Sequence, residues 1–215
     1  HIHSAANHGA CRRYCTAAYA VQHGQGLPVQ HAADHMLTAM NRHGDSAMIR
    51  ETVAKLRREV PGIVLRSTAI VGFPGETEDD FRELCEFLKE AKFERFGAFP
   101  YSREEDTAAY DFENQIDEQV KQDRYDIVMQ TQLPVSESFN ETRVGKTIRV
   151  MCEGFDPVAE SHYGRSFAEA ADIDGKIWFT TPNPQLRIAE GEMIDVKITE
   201  AMDYDLVGEA IINVK

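Results

Sequence analysis

Three stretches hold the side chains whose types and spacing could do chemistry. The first is Cys11-Arg-Arg-Tyr-Cys15, a Cys-x-x-x-Cys spacing of the kind that opens an iron–sulfur cluster loop. A third thiolate would fall at position 18, which is Ala18, and two thiolates do not make a three-cysteine site. His1, His3, His8 and His23 lie around it without the paired spacing of a closed tetrahedral zinc site, so no metal ligand is assigned. The second stretch, Leu65 to Glu76, reads Leu-Arg-Ser-Thr-Ala-Ile-Val-Gly-Phe-Pro-Gly-Glu. A strand, a turn containing Gly72, Pro74 and Gly75, and a helix start come together there, a common place to hold a polar ligand at the C-terminal edge of a parallel sheet. A turn that only connects strand to helix is the equal alternative. The third stretch is Ser102 to Thr107. Arg103 either pairs with a ligand carboxylate or neutralises Glu104 and Glu105 in solvent, and the solvent reading is favoured. Cys85 and Cys152 read as buried small residues rather than reactive thiols.

The elements that must position these residues alternate. Gly26 to Gln30 is expected to be a short strand, and Asp34 to Met40 a short helix with Met36, Leu37 and Met40 inward. Asp45 caps a helix to Val60 whose Ile49, Val53, Leu56 and Val60 share a face. Ile63 to Val71 mixes Ile, Val and Thr without strict alternation, as a strand covered on both faces does. Thr77-Glu-Asp-Asp80 starts a helix to about Lys92 with Phe81, Leu84, Cys85, Leu88 and Ala91 on one side. Phe96 to Tyr101 is the next strand. This order predicts parallel strands with right-handed crossovers. A charged connector helix is expected from Ile116 to about Thr131, with Ile116, Val120, Ile127 and Thr131 on one side and Pro134 as its stop. From Lys146 the period becomes two, and five strands are expected: Thr147 to Glu153, Val158 to Phe167, Lys176 to Thr180, Met193 to Thr199 and Asp205 to Asn213. Five short strands in that length predict a small closed barrel of the oligonucleotide-binding kind.

At 215 residues and 42% hydrophobic content the chain can bury real cores. A formal charge of −13 argues against general affinity for nucleic-acid phosphates and favours a basic partner. From Glu141 onward there are 14 Asp and Glu against 8 Lys and Arg. That acidity either complements a basic protein surface or keeps the domain soluble. No apolar run reaches the roughly 20 residues of a membrane span, and no signal-peptide pattern opens the chain, so a cytoplasmic protein is expected.

Leu27-Pro-Val-Gln-His31, Ala39-Met-Asn-Arg-His-Gly44, Ile70-Val-Gly-Phe-Pro-Gly-Glu-Thr77 and Phe99-Pro-Tyr-Ser-Arg-Glu-Glu-Asp-Thr107 stand in the order seen in the radical S-adenosylmethionine methylthiotransferase family. The terminal barrel resembles that family's TRAM domain, and the resemblance covers Gly26 to Lys215. Within the family, Arg42-His-Gly-Asp45, Ser102-Arg-Glu-Glu105 and the acidic barrel resemble the RimO-type branch, which methylthiolates an aspartate of a small-subunit ribosomal protein. The tRNA-modifying, MiaB-type branch is the alternative, and a basic stripe on the barrel would favour it. A non-catalytic TRAM binding module is a third reading.

The resemblance implies an α/β fold, a partial radical SAM (β/α) barrel over residues 26–134, followed by an all-β five-stranded OB-like TRAM barrel over residues 140–215; residues 1–25 are unassigned. It implies S-adenosyl-L-methionine and 4Fe-4S clusters as the cofactors of the full-length family. One cluster reduces S-adenosylmethionine to a radical that removes hydrogen from carbon, and a second takes part in sulfur supply. Gln30, Arg66, Gly72 and Phe73 are the cofactor-binding candidates. Arg66 and Gln30 would make polar contacts to S-adenosylmethionine, and the Gly72-Phe73 turn would approach its adenine; a packed Phe73 is the plainer alternative. No catalytic residue is assigned. The family's cluster loop has three cysteines and lies much further before the Leu-Pro-Val-Gln run, and its N-terminal domain is not matched. The chain is therefore expected to be the C-terminal part of such an enzyme, inactive by itself and prone to self-association through an exposed strand edge. Its expected partner is a basic ribosomal protein, with nucleic acid not the main one.

Overall fold

The computed structural model describes residues 27–183 and 185–212. Cys11, Cys15, His1, His3, His8, His23, Gly26 and Asn213, the last residue of the fifth expected barrel strand, lie outside them.

Leu27 to Gln30 lie along one edge of β1 (Arg66–Val71), and β2 (Arg95–Pro100) pairs with the other edge in parallel register. Alternate carbonyls and amides of β1 serve the two sides. Leu27 donates to Arg66, Gln30 to Thr68 and Ile70 to Gln30, while Tyr101 donates to Val71 on the β2 side. The first expected strand is reduced to the Gln30–Ala69 pairing. Pro28 has no N–H to give, and the Ser67 hydroxyl bridges instead, donating to the Leu27 carbonyl at 2.7 Å. β1 also differs from expectation in its faces. Ser67, Ala69 and Val71 are buried, but Arg66, Thr68 and Ile70 are only half-buried.

α1 (Asp34–Ala39) and α2 (Ser46–Glu59) precede β1. Asp45 caps α2 as its type dictates, accepting from the Met48 amide at 2.7 Å. α3 (Glu78–Ala91) joins β1 to β2. It opens with a reciprocal box, in which Thr77 Oγ1 accepts from the Asp80 amide and Asp80 Oδ2 accepts from the Thr77 amide. Its Phe81, Leu84, Cys85, Leu88 and Ala91 enter one core with Val53, Val60, Ile63, Leu65, Ala69, Val71 and Phe93.

α4 (Glu118–Glu141) corrects the sequence reading twice. Pro134 does not stop it. The helix runs on to Glu141 because Ser136 and Asn140, beyond that proline, are buried against the rest of the fold, as Gln132 is before it. The buried side is also the polar one. Lys121, Arg124, Val128, Gln132, Ser136 and Asn140 recur at three and four residues, whereas the expected apolar side leaves Val120 and Ile127 exposed.

Five strands then close into a barrel in the order β3-β4-β5-β7-β6: β3 (Thr147–Asp156), β4 (Ser161–Arg165), β5 (Ile177–Thr180), β6 (Met193–Ala201) and β7 (Leu206–Ile211). All pairs are antiparallel except β5 with β7. Alternation sends Val150, Cys152, Ile177, Phe179, Val196, Ile198, Leu206 and Ala210 inside. The fold is mixed α/β with a closed five-stranded barrel, as expected. The β4–β5 loop seats the barrel on the N-terminal end of the sheet. Glu169 accepts from Arg95 at 2.8 Å and from Arg143, while the Asn140 amide donates to the Met202 carbonyl.

Candidate functional site

At the C-terminal end of β1 the chain turns through Gly72, whose φ is 71°. A Cβ there would strike the Lys121 side chain, so glycine is required both by conformation and by space. The Gly72 amide donates to Glu76, four residues on. Glu76 is the centre of a buried network. Its Oε1 lies 3.0 Å from His31 Nε2, and its Oε2 accepts from Arg124 at 2.7 Å. Arg124 also donates to the Glu76 carbonyl at 3.2 Å and reaches Glu78 at the surface. His31 Nδ1 accepts from the Ala33 amide at 3.0 Å. That leaves the proton on Nε2, so a neutral ring donates to Glu76. The carboxylate therefore ties together three segments, the end of the Leu27-to-Gln30 run, the Gly72 turn and α4.

Phe73 is buried and meets Tyr101 edge-on at 5.1 Å between centroids and Phe112 at 6.0 Å. Lys121 is almost wholly buried, with its ammonium 5.1 Å above the Tyr101 ring and 2.5 Å from Glu118. Tyr101 Oη and Arg124 Nε are buried here without a hydrogen-bond partner.

Of the four residues expected at a cofactor, the structure brings three towards one end. Gln30 pairs with Ala69, and Gly72 and Phe73 follow three and four residues later. Arg66 stands at the opposite end of β1, roughly 20 Å away at the rise of a strand. Its guanidinium is held by Asp174 of the β4–β5 loop, with Nη1 donating to Oδ1 at 3.0 Å. Burial, and then the neighbouring Arg95, lower its pKa from the usual arginine value. Arg66 therefore stands apart from the other three. Arg103 donates to the Tyr110 carbonyl at 2.8 Å and lies over the Tyr110 ring, rather than pairing with Glu104 or Glu105.

Among the described residues no group of three or more His, Cys, Asp and Glu could hold a metal ion. Cys85 and Cys152 are free and buried in separate cores, and burial pushes both thiols up, so neither fits a cluster ligand. Among the described residues no helix is long and apolar enough to cross a membrane.

Sequence reasoning passed over His31, Glu76, Tyr101, Lys121 and Arg124 as site residues. His31 and Glu76 lay inside the quoted motifs. Lys121 and Arg124 had a signal only in retrospect, because charged residues at helical spacing read first as a solvated face.

A sheet of parallel strands with a buried carboxylate under its C-terminal turn, carrying a small closed barrel, defines a two-part α/β and β-barrel protein. Residues 144–211 match the TRAM domain. Over most of its length the chain is similar to proteins named ribosomal protein uS12 methylthiotransferase RimO. It is 47% identical to that of Desulforamulus reducens over 184 residues, 85% of this chain and 41% of the relative. The Acetivibrio thermocellus protein is 45% identical over 185 residues, 86% of this chain and 40% of the relative. That of Geobacter sulfurreducens is 45% identical over 186 residues, again 86% of this chain and 41% of the relative. The chain spans about two fifths of the length of the curated relatives it matches.

Proposed function

We propose that the chain is the C-terminal part of a radical S-adenosylmethionine methylthiotransferase acting on ribosomal protein uS12, with the β-carbon of an aspartate as the site of addition. The observation that carries this reading is identity of 41–47% running through the α/β part and the barrel together, over about 86% of the chain. On this reading residues 26–134 belong to the radical SAM domain and residues 140–215 to the TRAM domain. The complete protein uses S-adenosylmethionine and 4Fe-4S clusters in the cytoplasm.

The chain's own residues then have defined tasks. Gln30, Gly72 and Phe73 border the cofactor at the C-terminal edge of the sheet. Glu76, His31 and Arg124 hold that border in shape. Arg66 can take a ligand carboxylate only by releasing Asp174, so its resting task is to fasten the barrel. The acidic barrel meets the basic target protein, since opposite sign speeds encounter and rejects wrong partners. Titrating the chain with purified uS12 tests this. Saturable binding that weakens with salt is expected; no binding at low salt overturns the partner assignment.

A further inference from the structure

Residues 186–191, between β5 and β6, form a strap tied to β3 and β4. Its later end is held by backbone alone: the Gly191 amide donates to the Cys152 carbonyl, and the Cys152 amide donates to the Glu192 carbonyl, both at 2.8 Å. Its middle is held differently. Half-buried Ile188 packs on the barrel core, and its amide donates to His162 Nε2 at 3.0 Å. The Cys152 thiol adds only a weak donor, 3.7 Å from the Ile188 carbonyl. A titratable ring thus fastens the strap at the place where a strand ladder would use a carbonyl. Register sets that ring between Phe155 of β3 and Phe179 of β5, while Tyr163 and Trp178, paired with each other, lie on the opposite face. His162 is 1% exposed, stacked on Phe179 at 5.4 Å between centroids and edge-on to Phe155 at 4.9 Å.

Accepting at Nε2 puts the ring's proton on Nδ1 and leaves the ring neutral. A second proton, on Nε2, would set one N–H donor against another and place a charge among aromatic rings. The charges around the site oppose that proton further. The Arg187 guanidinium, next in the chain to Ile188, lies 4.0 Å from the centroid of Phe155, the ring that meets His162. From the strands the imidazole meets no carboxylate: β3 offers Phe155 and the Cys152 thiol, which burial pushes up, β5 offers Phe179, and the inner residues of β6 and β7 are apolar. On the strap side Glu190 is exposed, and Glu192 accepts from the Ala189 amide at 3.3 Å. Burial first, and then Arg187, lower the His162 pKa from the ordinary 6.5.

We infer that His162 is a proton-operated latch: with the ring neutral the strap is fastened beside Phe155 and Phe179, and uptake of one proton frees Ile188 and uncovers that aromatic pair while the barrel stays closed. The latch does not rest on the methylthiotransferase reading. In the released state the ring titrates near the ordinary 6.5, and in the fastened state lower. The strap is therefore fully favoured above that value. Below it the ratio of fastened to released chains falls by up to about tenfold per pH unit, until the pKa of the fastened state is passed.

Amide hydrogen exchange of the full chain, followed by NMR from about pH 8 to about pH 5 and corrected for intrinsic exchange, reads the latch directly. Protection of the Ile188 amide should be level above 6.5 and fall below it. The Ile198 amide, which donates to the Lys146 carbonyl at 2.9 Å, should stay better protected throughout, because the strap lifts without the barrel unfolding. The His162 ring should titrate below 6.5 and, when neutral, carry its proton on Nδ1. His162→Gln supplies an acceptor that takes up no proton, so the pH dependence at Ile188 should vanish. Arg187→Gln removes the nearest cation and raises the fastened-state pKa, so the fall should end at a higher pH and be smaller; this variant serves if His162→Gln does not fold. Titration of His162 at the ordinary value, level protection of Ile188 across the range, equal exchange of Ile188 and Ile198, or an unchanged pH dependence in a folded His162→Gln would each overturn the inference.

Discussion

Arg95, the first residue of β2, donates to Glu169 in the β4–β5 loop at 2.8 Å, and both side chains are almost wholly removed from solvent. Together with Arg143, which reaches the same carboxylate, the pair joins the sheet to the barrel. Burial pushes the Glu169 carboxyl up. Arg143, Ser166 and Arg95 outweigh this and hold it at about 2, against 4.5 for an ordinary glutamate. The unfolded chain therefore takes up the proton first as pH falls. The stabilisation is complete above about pH 4.5 and is lost as the pH drops towards about 2. Its size is roughly 3 kcal/mol. Urea titrations across that range should show the loss, and Glu169→Gln should remove most of the pH dependence.

The network under the Gly72 turn makes a different prediction. Glu76 accepts from a histidine, a backbone amide and an arginine, all buried. Replacing it by Gln removes the charge facing Arg124, and losing one partner of a buried pair costs about 3–5 kcal/mol. Glu78→Gln removes Arg124's other, 75% exposed partner and should change stability by less than about 1 kcal/mol. Urea midpoints of the two variants measured side by side separate buried from surface pairing.

Gly72 and Gly62 both hold positive φ, at 71° and 80°, but only Gly72 has a side chain where its Cβ would go. Alanine at Gly62 should cost about 1–2 kcal/mol, the left-handed penalty alone. At Gly72 a further 1–3 kcal/mol or so is expected from overpacking against Lys121. Thermal unfolding of both variants, with Gly72→Ala combined with Lys121→Ala as the rescue, reads the difference.

Pro134 interrupts α4 without ending it. Its ring removes one hydrogen bond to the turn before, so Pro134→Ala at this exposed position should stabilise the chain by about 1–3 kcal/mol. A fall in the denaturation midpoint instead would mean that the proline shapes the helix to fit the barrel.

Capping signals and strand periods made much of the fold legible. Asp45 and the Thr77–Asp80 box start their helices where their types require, and the five barrel strands fall close to their expected places. What escaped the sequence was set by partners far along the chain. Arg66 looked like a ligand contact because an arginine in a buried strand needs a carboxylate; the one it finds is Asp174, 108 residues away. Pro134 looked like a stop because local propensity ignores the packing of Ser136 and Asn140 beyond it. The sequence points to the Ile116, Val120, Ile127 and Thr131 side of α4 instead of its polar inner side, because nothing local shows that Glu76 and Phe93 supply that side's hydrogen bonds. The Tyr163–Trp178 ring pair was hidden for the same reason, since only strand register places the two rings side by side.

The methylthiotransferase reading is tested most directly by a chimera. Residues 26–215 would replace the matching region of the complete Acetivibrio thermocellus relative, and the anaerobically reconstituted protein would be incubated with S-adenosylmethionine, reductant, sulfide and uS12. A uS12 mass increase equal to replacement of one hydrogen by a methylthio group, mapped to a single aspartate, is expected. A folded, cluster-loaded chimera that leaves uS12 unchanged while the parent relative modifies it would contradict the assignment.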